Sequence, residues 1–193
     1  MGKRILIIDG HPDKDRARLC HALADAYAGG AGETGSDVRL LTVAEAEFPL
    51  LRTAQDFTTA PDASAILGAR DDILWADHLV FVFPLWLGGA PAVLRGFLEQ
   101  IARGGFVAET SGHGIRQKLK GKSARLIVTM GMPAFIYRWI FHAHGVKNIM
   151  QGVLGFGGIG PIGLTLFGAI EADNPAAQKG RLARVRSLGR EGA

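Results

Sequence analysis

The segment HLVFVFPLWLGGAPAVLRGF, residues 78–97, decides the fold. From Leu79 to Phe83 every residue is apolar, most are β-branched or aromatic, and Pro84 closes the run. A run that never alternates belongs to a strand covered on both faces, as in a parallel sheet. The second half turns at Gly88-Gly89 and restarts at Pro91, a residue type favoured in a first helical turn. Leu94, Phe97, Leu98 and Ile101 then follow at helical spacing, up to a stop at Gly104-Gly105.

The alternation of strand and helix continues on both sides. Arg4 to Asp9 reads as a first strand, followed by a helix from Arg16 to Tyr27 that the stretch GGAGETGSD, residues 29–37, ends. A second strand covers Asp37 to Leu41. Thr42 to Pro61 is a long loop with a helical turn, and Ala63 to Trp75 is a helix. Beyond the central segment, Phe106 to Gly121 is a polar, basic connection, Ser123 to Met130 a fourth strand, and Phe135 to Ala143 a helix. Gln151 to Ile159 reads as a glycine-interrupted fifth strand, and Pro175 to Leu188 as a final amphipathic helix. No change of composition marks a second domain, so residues 1–193 form a single doubly wound α/β domain around five parallel strands. Two strand orders are compatible with this reading, the dinucleotide-binding one and the flavodoxin-like one. Both place the ligand beyond the carboxyl ends of the strands, in the loops after strands one, three and four.

Composition narrows the function. The chain has 193 residues, 48% of them hydrophobic, enough for one well-filled core. A single cysteine, Cys20, excludes an internal disulfide and fits a reducing, cytoplasmic setting, and no Cys and His cluster has metal-ligand spacing. The apolar run Ile5 to Ile8 is too short for a signal peptide, and no stretch reaches the roughly 20 apolar residues of a membrane span. The net charge of +4 is concentrated in Arg116 to Arg125 and Lys179 to Arg190, without interleaved aromatics, which disfavours nucleic acid as a partner.

Each of the three loops carries candidate binding residues. The first, Asp9-Gly10-His11-Pro12, has neither the G-x-G-x-x-G nor the G-x-x-x-x-G-K-[ST] spacing. It offers His11 at the strand exit, with Arg16 and Arg18 at a helix start where the dipole and free N–H groups favour an anion. The second sets the flat Trp86 beside Gly88 and Gly89, which permit close backbone approach to a planar ligand. The third, TMGMPAFIY, combines Gly131 with bulky groups and leads to Tyr137, His142 and His144.

Taken together, HP-x(5)-R in HPDKDRARLC, then FPLWLGGAPAVLRGFLEQ, then a T-x-G turn followed by a Tyr resemble the flavodoxin-like NAD(P)H:quinone oxidoreductases. That family includes DT-diaphorase and the modulator-of-drug-activity type quinone reductases. The resemblance implies a flavodoxin-like three-layer fold and a non-covalent flavin, FAD or FMN, with chain length leaning toward FAD. It also implies NAD(P)H as co-substrate, quinone-like acceptors, ping-pong kinetics and a homodimer. It places His11, Ala17, Arg18, Leu19 and Cys20 around the flavin phosphate, Pro84, Leu85, Trp86 and Leu87 along the isoalloxazine, and Thr129, Gly131 and Met132 on its other side. Where the family commonly has Ser and Asn, this chain has Ala17 and Cys20. More of the phosphate binding therefore falls to backbone amides, His11 and Arg18.

Relatives carry a Tyr and, six residues on, a His near the flavin pyrimidine edge. Here the histidines fall five and seven residues after Tyr137, so Tyr137 ranks first for that role, His144 second and His142 third. A donor there stabilises negative charge on the reduced ring. The competing reading is a flavodoxin-like electron carrier, or a regulatory flavoprotein subunit of a potassium-efflux system. A basic chain without a Ser/Thr-rich first loop argues against the carrier.

Overall fold

The computed structural model describes residues 2–111, 114–172 and 174–193. Five strands form one parallel sheet: β1 (Arg4–Asp9), β2 (Asp37–Thr42), β3 (His78–Pro84), β6 (Ser123–Thr129) and β7 (Ile162–Phe167). Their order is β2-β1-β3-β6-β7, the flavodoxin-like one of the two possibilities. In register, Asp9 lies opposite Val82, and Pro84 opposite Thr129, so the three strand exits finish side by side.

Alternate side chains of the strands enter two separate cores. Ile5, Ile7, Val80, Val82 and Ile127 meet Leu23 and Tyr27 of α1 (Leu19–Glu33) and Val185 of α7 (Pro175–Glu191). Leu6, Ile8, Phe81, Phe83 and Leu126 meet Ile66 and Ile73 of α3 (Ser64–Trp75) and Leu94 and Phe97 of α4 (Ala92–Ala102). Both faces of the sheet are thus covered, giving three layers. Helix α7 is capped by the Asn174 side chain, which accepts the Ala177 N–H at 2.9 Å, and ends at Gly192 in the left-handed region.

Several expectations need correction. The fifth strand is not Gln151 to Ile159: residues Asn148–Gly155 form a π-helical extension of the short α6 (His144–Lys147). Wide-turn bonds from Phe156 N–H to Gln151 O and from Ile159 N–H to Leu154 O, both 3.0 Å, carry the coil onward. A short apolar run with glycines fits strand and helix alike, and here Ile149 and Leu154 turn one helical face into the core. The real fifth strand, β7, was hidden among Gly160, Pro161 and Gly163. Part of the polar connection is a small antiparallel hairpin, β4 (Ala108–Ser111) with β5 (Gly114–Gln117), and the residues between them, 112–113, lie outside the described ones. The long loop holds a 3-10 turn at Val43–Glu45 and α2 (Ala54–Thr58), which a Thr53–Asp56 capping box starts. The helix expected over Phe135 to Ala143 stops early as α5 (Ala134–Trp139), because His142 and Ala143 both take φ of 51°. Helix α1 runs past Gly29 and Gly30 to Glu33.

Candidate functional site

At the carboxyl ends of β1, β3 and β6 lies a cleft of about 540 Å³, within the range of small-molecule sites. His11, Ala17, Arg18, Leu19, Cys20, Pro84, Trp86 and Thr129 line it, so eight of the residues expected from sequence are brought together. Asp13, Ile170 and Glu171 also line it and were not expected. A second groove of about 280 Å³ beside α4 is walled by Phe57, Leu98, Val107 and Phe156. It lies away from the strand exits.

The first loop is built on a buried acid. Asp9, fully buried at the end of β1, accepts the His11 N–H on one carboxylate oxygen at 3.2 Å and pairs through the other with the Nδ1 of buried His21. His11 in turn accepts the Asp13 N–H on its own Nδ1 at 3.1 Å. Burial lowers the pKa of His11. The neutral ring with Nδ1 occupied as acceptor has its proton on Nε2.

Helix α1 opens with no side-chain cap and no acid in its first turn. The Ala17 N–H is taken by the Asp15 side chain at 3.0 Å, and the Arg18 N–H by the Asp15 carbonyl at 3.1 Å. The N–H groups of Leu19 and Cys20 have no acceptor among the described residues. An anion is what such a terminus binds. The Arg18 guanidinium does not stand free for it, being held by Asp13 at 2.8 Å and lying 3.7 Å from Asp15.

Cys20 packs with Sγ 3.4 Å from the Thr129 hydroxyl, and burial pushes its pKa up to about 12. The neutral, buried thiol is a packing group. Two outcomes follow from this. Native protein at pH 8 resists iodoacetamide and is alkylated only once unfolded. Stability held by the neutral thiol is intact below the ordinary thiol range near pH 9 and declines as pH rises toward 12, which denaturant melts across that window would measure. Rapid alkylation of native protein at pH 8 would contradict this burial.

The second loop is a tight turn. Trp86 and Gly89 exchange two backbone hydrogen bonds of 2.9 Å, and Leu87 and Gly88 at the tip have φ of 47° and 79°. This is the conformation of a two-residue hairpin turn, unusual for a leucine, and Leu87 is fully exposed at it. Trp86, 51% exposed, forms a T-shaped pair with the His11 ring at a centroid distance of 6.3 Å.

Leu85, Leu87, Gly131 and Met132 belong to the same loops without lining the cleft. Leu85 ties the second loop to the Thr129 carbonyl at 2.7 Å. A Cβ on Gly131 would stand 3.0 Å from the Glu171 carboxylate, and the Met132 carbonyl accepts the Ala169 N–H at 3.0 Å. Together they seat the loop after β7, which brings Ile170 and Glu171 to the cleft. Placing the fifth strand at Ile162–Phe167 would have identified this loop by the strand-exit rule.

Tyr137 is 1% exposed, and its hydroxyl is used on both sides. It donates to the Gly88 carbonyl at 3.0 Å and accepts the Val146 N–H at 3.2 Å. Burial raises its pKa. It reaches the cleft by holding the Trp86 turn. His142 and His144 are exposed, with ring centroids 5.6 Å apart, and neither lines the cleft.

The chain is 27% identical over 178 residues to an uncharacterized NAD(P)H oxidoreductase of Haemophilus influenzae, covering 90% of this chain and 88% of that one. Among solved structures it is similar to an NAD(P)H:quinone oxidoreductase from Methanothermobacter marburgensis, with a TM-score of 0.82, 18% identity and coverage of 99% and 97%. It is also similar to an FMN-dependent NADH-azoreductase from Bacillus anthracis in complex with FMN, with a TM-score of 0.76, 15% identity and 99% of both chains covered. At these identities the structural likeness is one of fold. The family model for the flavodoxin-like fold matches residues 3–188, nearly the whole chain, and the protein belongs to that family.

Proposed function

We propose that the chain is a flavin-dependent NAD(P)H:quinone oxidoreductase that binds FMN in the cleft at the strand exits. The observation that carries the reading is the pairing of two ends in one cleft. At one end are the amides of Leu19 and Cys20, without an acceptor among the described residues, and the Nε2–H of His11, whose ring lies 6.3 Å from the indole of the flat, half-exposed Trp86 at the other. A planar ring with a phosphate tail fits both ends. The Bacillus anthracis relative in complex with FMN favours FMN over FAD, and the Haemophilus influenzae and Methanothermobacter marburgensis relatives favour NAD(P)H and quinones as substrates.

Bound flavin supplies the hydride chemistry. Around it, His11 and the α1 amides would hold the phosphate, Pro84 and Thr129 would back the ring, and Trp86 would wall it. Tyr137 fixes the turn that carries Trp86, while His144 and His142 are exposed and do not line the cleft. Arg18, committed to Asp13, tethers the loop rather than grasping the ligand. One opening serves NAD(P)H and then the acceptor, so the kinetics would be ping-pong. A second copy of the chain would cover the exposed run Phe135, Trp139, Ile140 and Phe141. Among the described residues no helix is long and apolar enough to cross a membrane.

Purified protein is expected to be yellow or to take up added FMN, and NAD(P)H without oxygen should bleach the blue absorption band, with menadione restoring it. Protein that takes up neither FMN nor FAD would overturn the proposal. Trp86→Ala should weaken FMN binding about tenfold, the loss of roughly 1–1.5 kcal/mol of aromatic contact. Its melting temperature should stay unchanged, since the ring is half exposed. An unchanged FMN affinity would remove Trp86 from the ring wall.

A further inference from the structure

Beneath the anion end of the cleft lies a chain of buried polar groups that neither the family resemblance nor the flavin reading assigns. His21, on the first turn of α1, is 1% exposed and sits between two acceptors. Its Nδ1 faces the Asp9 carboxylate, and its Nε2 lies 2.9 Å from the Asp13 carbonyl oxygen. Both ring nitrogens are thus engaged. Asp13 is thereby tied at its carbonyl while its N–H donates to His11 Nδ1, and Asp9 also takes the His11 N–H. His11 and His21 stand with ring centroids 5.3 Å apart. Through backbone and side chain, then, the Asp9–His21 pair determines where His11 sits and which of its nitrogens carries the proton.

A buried acid–histidine pair is a costly way to brace a loop, because apolar residues of similar volume often serve stability as well or better. What apolar residues do not supply is orientation of a neighbouring hydrogen-bond donor. Beyond the Leu19 and Cys20 amides, the anion end has few donors to spare. Ala17 brings no hydroxyl, its amide is taken, and Arg18 is occupied by Asp13. His11 is the imidazole donor on the cleft wall.

We propose that His21, held by Asp9, is a positioning residue for the phosphate end of the site: it sets the 10–13 loop so that His11 presents Nε2–H to the ligand phosphate. The inference rests on the flavin reading and deepens it. The selectivity it predicts is narrow. The pair acts on the phosphate; Trp86, although its ring lies 6.3 Å from that of His11, is held by its own backbone pair with Gly89 and keeps the ring subsite.

The test compares FMN with riboflavin, which has the same ring and no phosphate, by quenching of flavin fluorescence. The variant is Asp9→Leu/His21→Leu, which removes both polar partners together and avoids stranding one in the core. Expected is an FMN dissociation constant raised about tenfold, as for loss of one charge-assisted hydrogen bond, with riboflavin binding held within about twofold. Equal weakening of both ligands would show a merely structural brace, and no weakening of either would show no role; each overturns the inference while leaving the flavin reading intact. Wild-type protein that binds neither ligand nor FAD overturns the flavin reading and this inference with it. A readout that needs neither ligand nor variant is the ¹⁵N chemical shifts of the His11 ring in wild-type protein. The Nε2–H tautomer supports the assignment, and the Nδ1–H tautomer overturns it even if the double variant does not fold.

Discussion

Gly145→Ala is expected to weaken FMN binding at least tenfold while leaving the secondary structure intact. A Cβ on Gly145 would overlap the carbonyl oxygen of Gly88 and stand 2.7 Å from the Cα of Gly89. Both obstacles are backbone, so no side-chain rotation relieves them, and one of the two segments has to move. Helix α6 is the better anchored: Val146 is fully buried, Ala143 N–H bonds to the Tyr137 carbonyl at 3.0 Å, and Ile149 follows into the core. The turn of Leu87 and Gly88 is exposed and held by one backbone pair and the Tyr137 hydroxyl. The strain therefore displaces the turn, and Trp86 with it. Overpacking of this kind costs about 1–3 kcal/mol, and each 1.4 kcal/mol spent on the ring wall is a factor of ten in affinity. Tyr137→Phe tests the same clamp from the other side. It leaves the Gly88 carbonyl and the Val146 N–H without their partner, so it should lower stability by about 1–3 kcal/mol and flavin affinity by less than Gly145→Ala does. Unaltered FMN binding by Gly145→Ala would show that the turn does not wall the ring.

What the sequence revealed and what it hid divide along a physical line. Strands β1, β3 and β6 were legible because a strand covered on both faces has to be apolar throughout, and their exits were marked by Asp9, Pro84 and Gly131. The cleft followed from those exits. Strand β7 was not legible, because an edge strand needs less apolar surface and this one is diluted by Gly163 and Thr165. Missing it also concealed Ile170 and Glu171. Partnerships across long separations were hidden for a different reason. Tyr137 and Gly88 are 49 positions apart, and the Asp9–His21 pair joins a strand end to a helix face, with no periodicity to announce either. Tyr137 does not line the cleft, and the group to which its hydroxyl donates is a backbone carbonyl, which leaves no trace in the sequence.

The stretch GGAGETGSD shows the same divide in the scaffold, and Gly189→Val is expected to expose it. Glycines at 29, 30 and 32 read as a helix stop, because glycine costs about 1 kcal/mol inside a helix. Yet α1 continues through all three, since α7 lies against it too closely for side chains between them. A Cβ on Gly30 would overlap the carbonyl oxygen of Arg186, and one on Gly189 would overlap that of Tyr27 and stand 3.0 Å from the Ala31 amide. The two glycines are reciprocal, each clearing the other helix's backbone. Valine at 189 has to drive the helices apart, opening the core that Leu23, Tyr27 and Val185 fill. That should cost about 3 kcal/mol or more, lowering the melting temperature by roughly 6–12 °C for a domain of this size. Gly32 has no atom within 4 Å of a built Cβ, so Gly32→Ala in the same helix should raise stability by about 0.5–1 kcal/mol. Thermal melts of the two variants thus move in opposite directions from wild type. If both rise, the helices are not in backbone contact; if both fall, the stretch is intolerant for a reason other than the approach of α7.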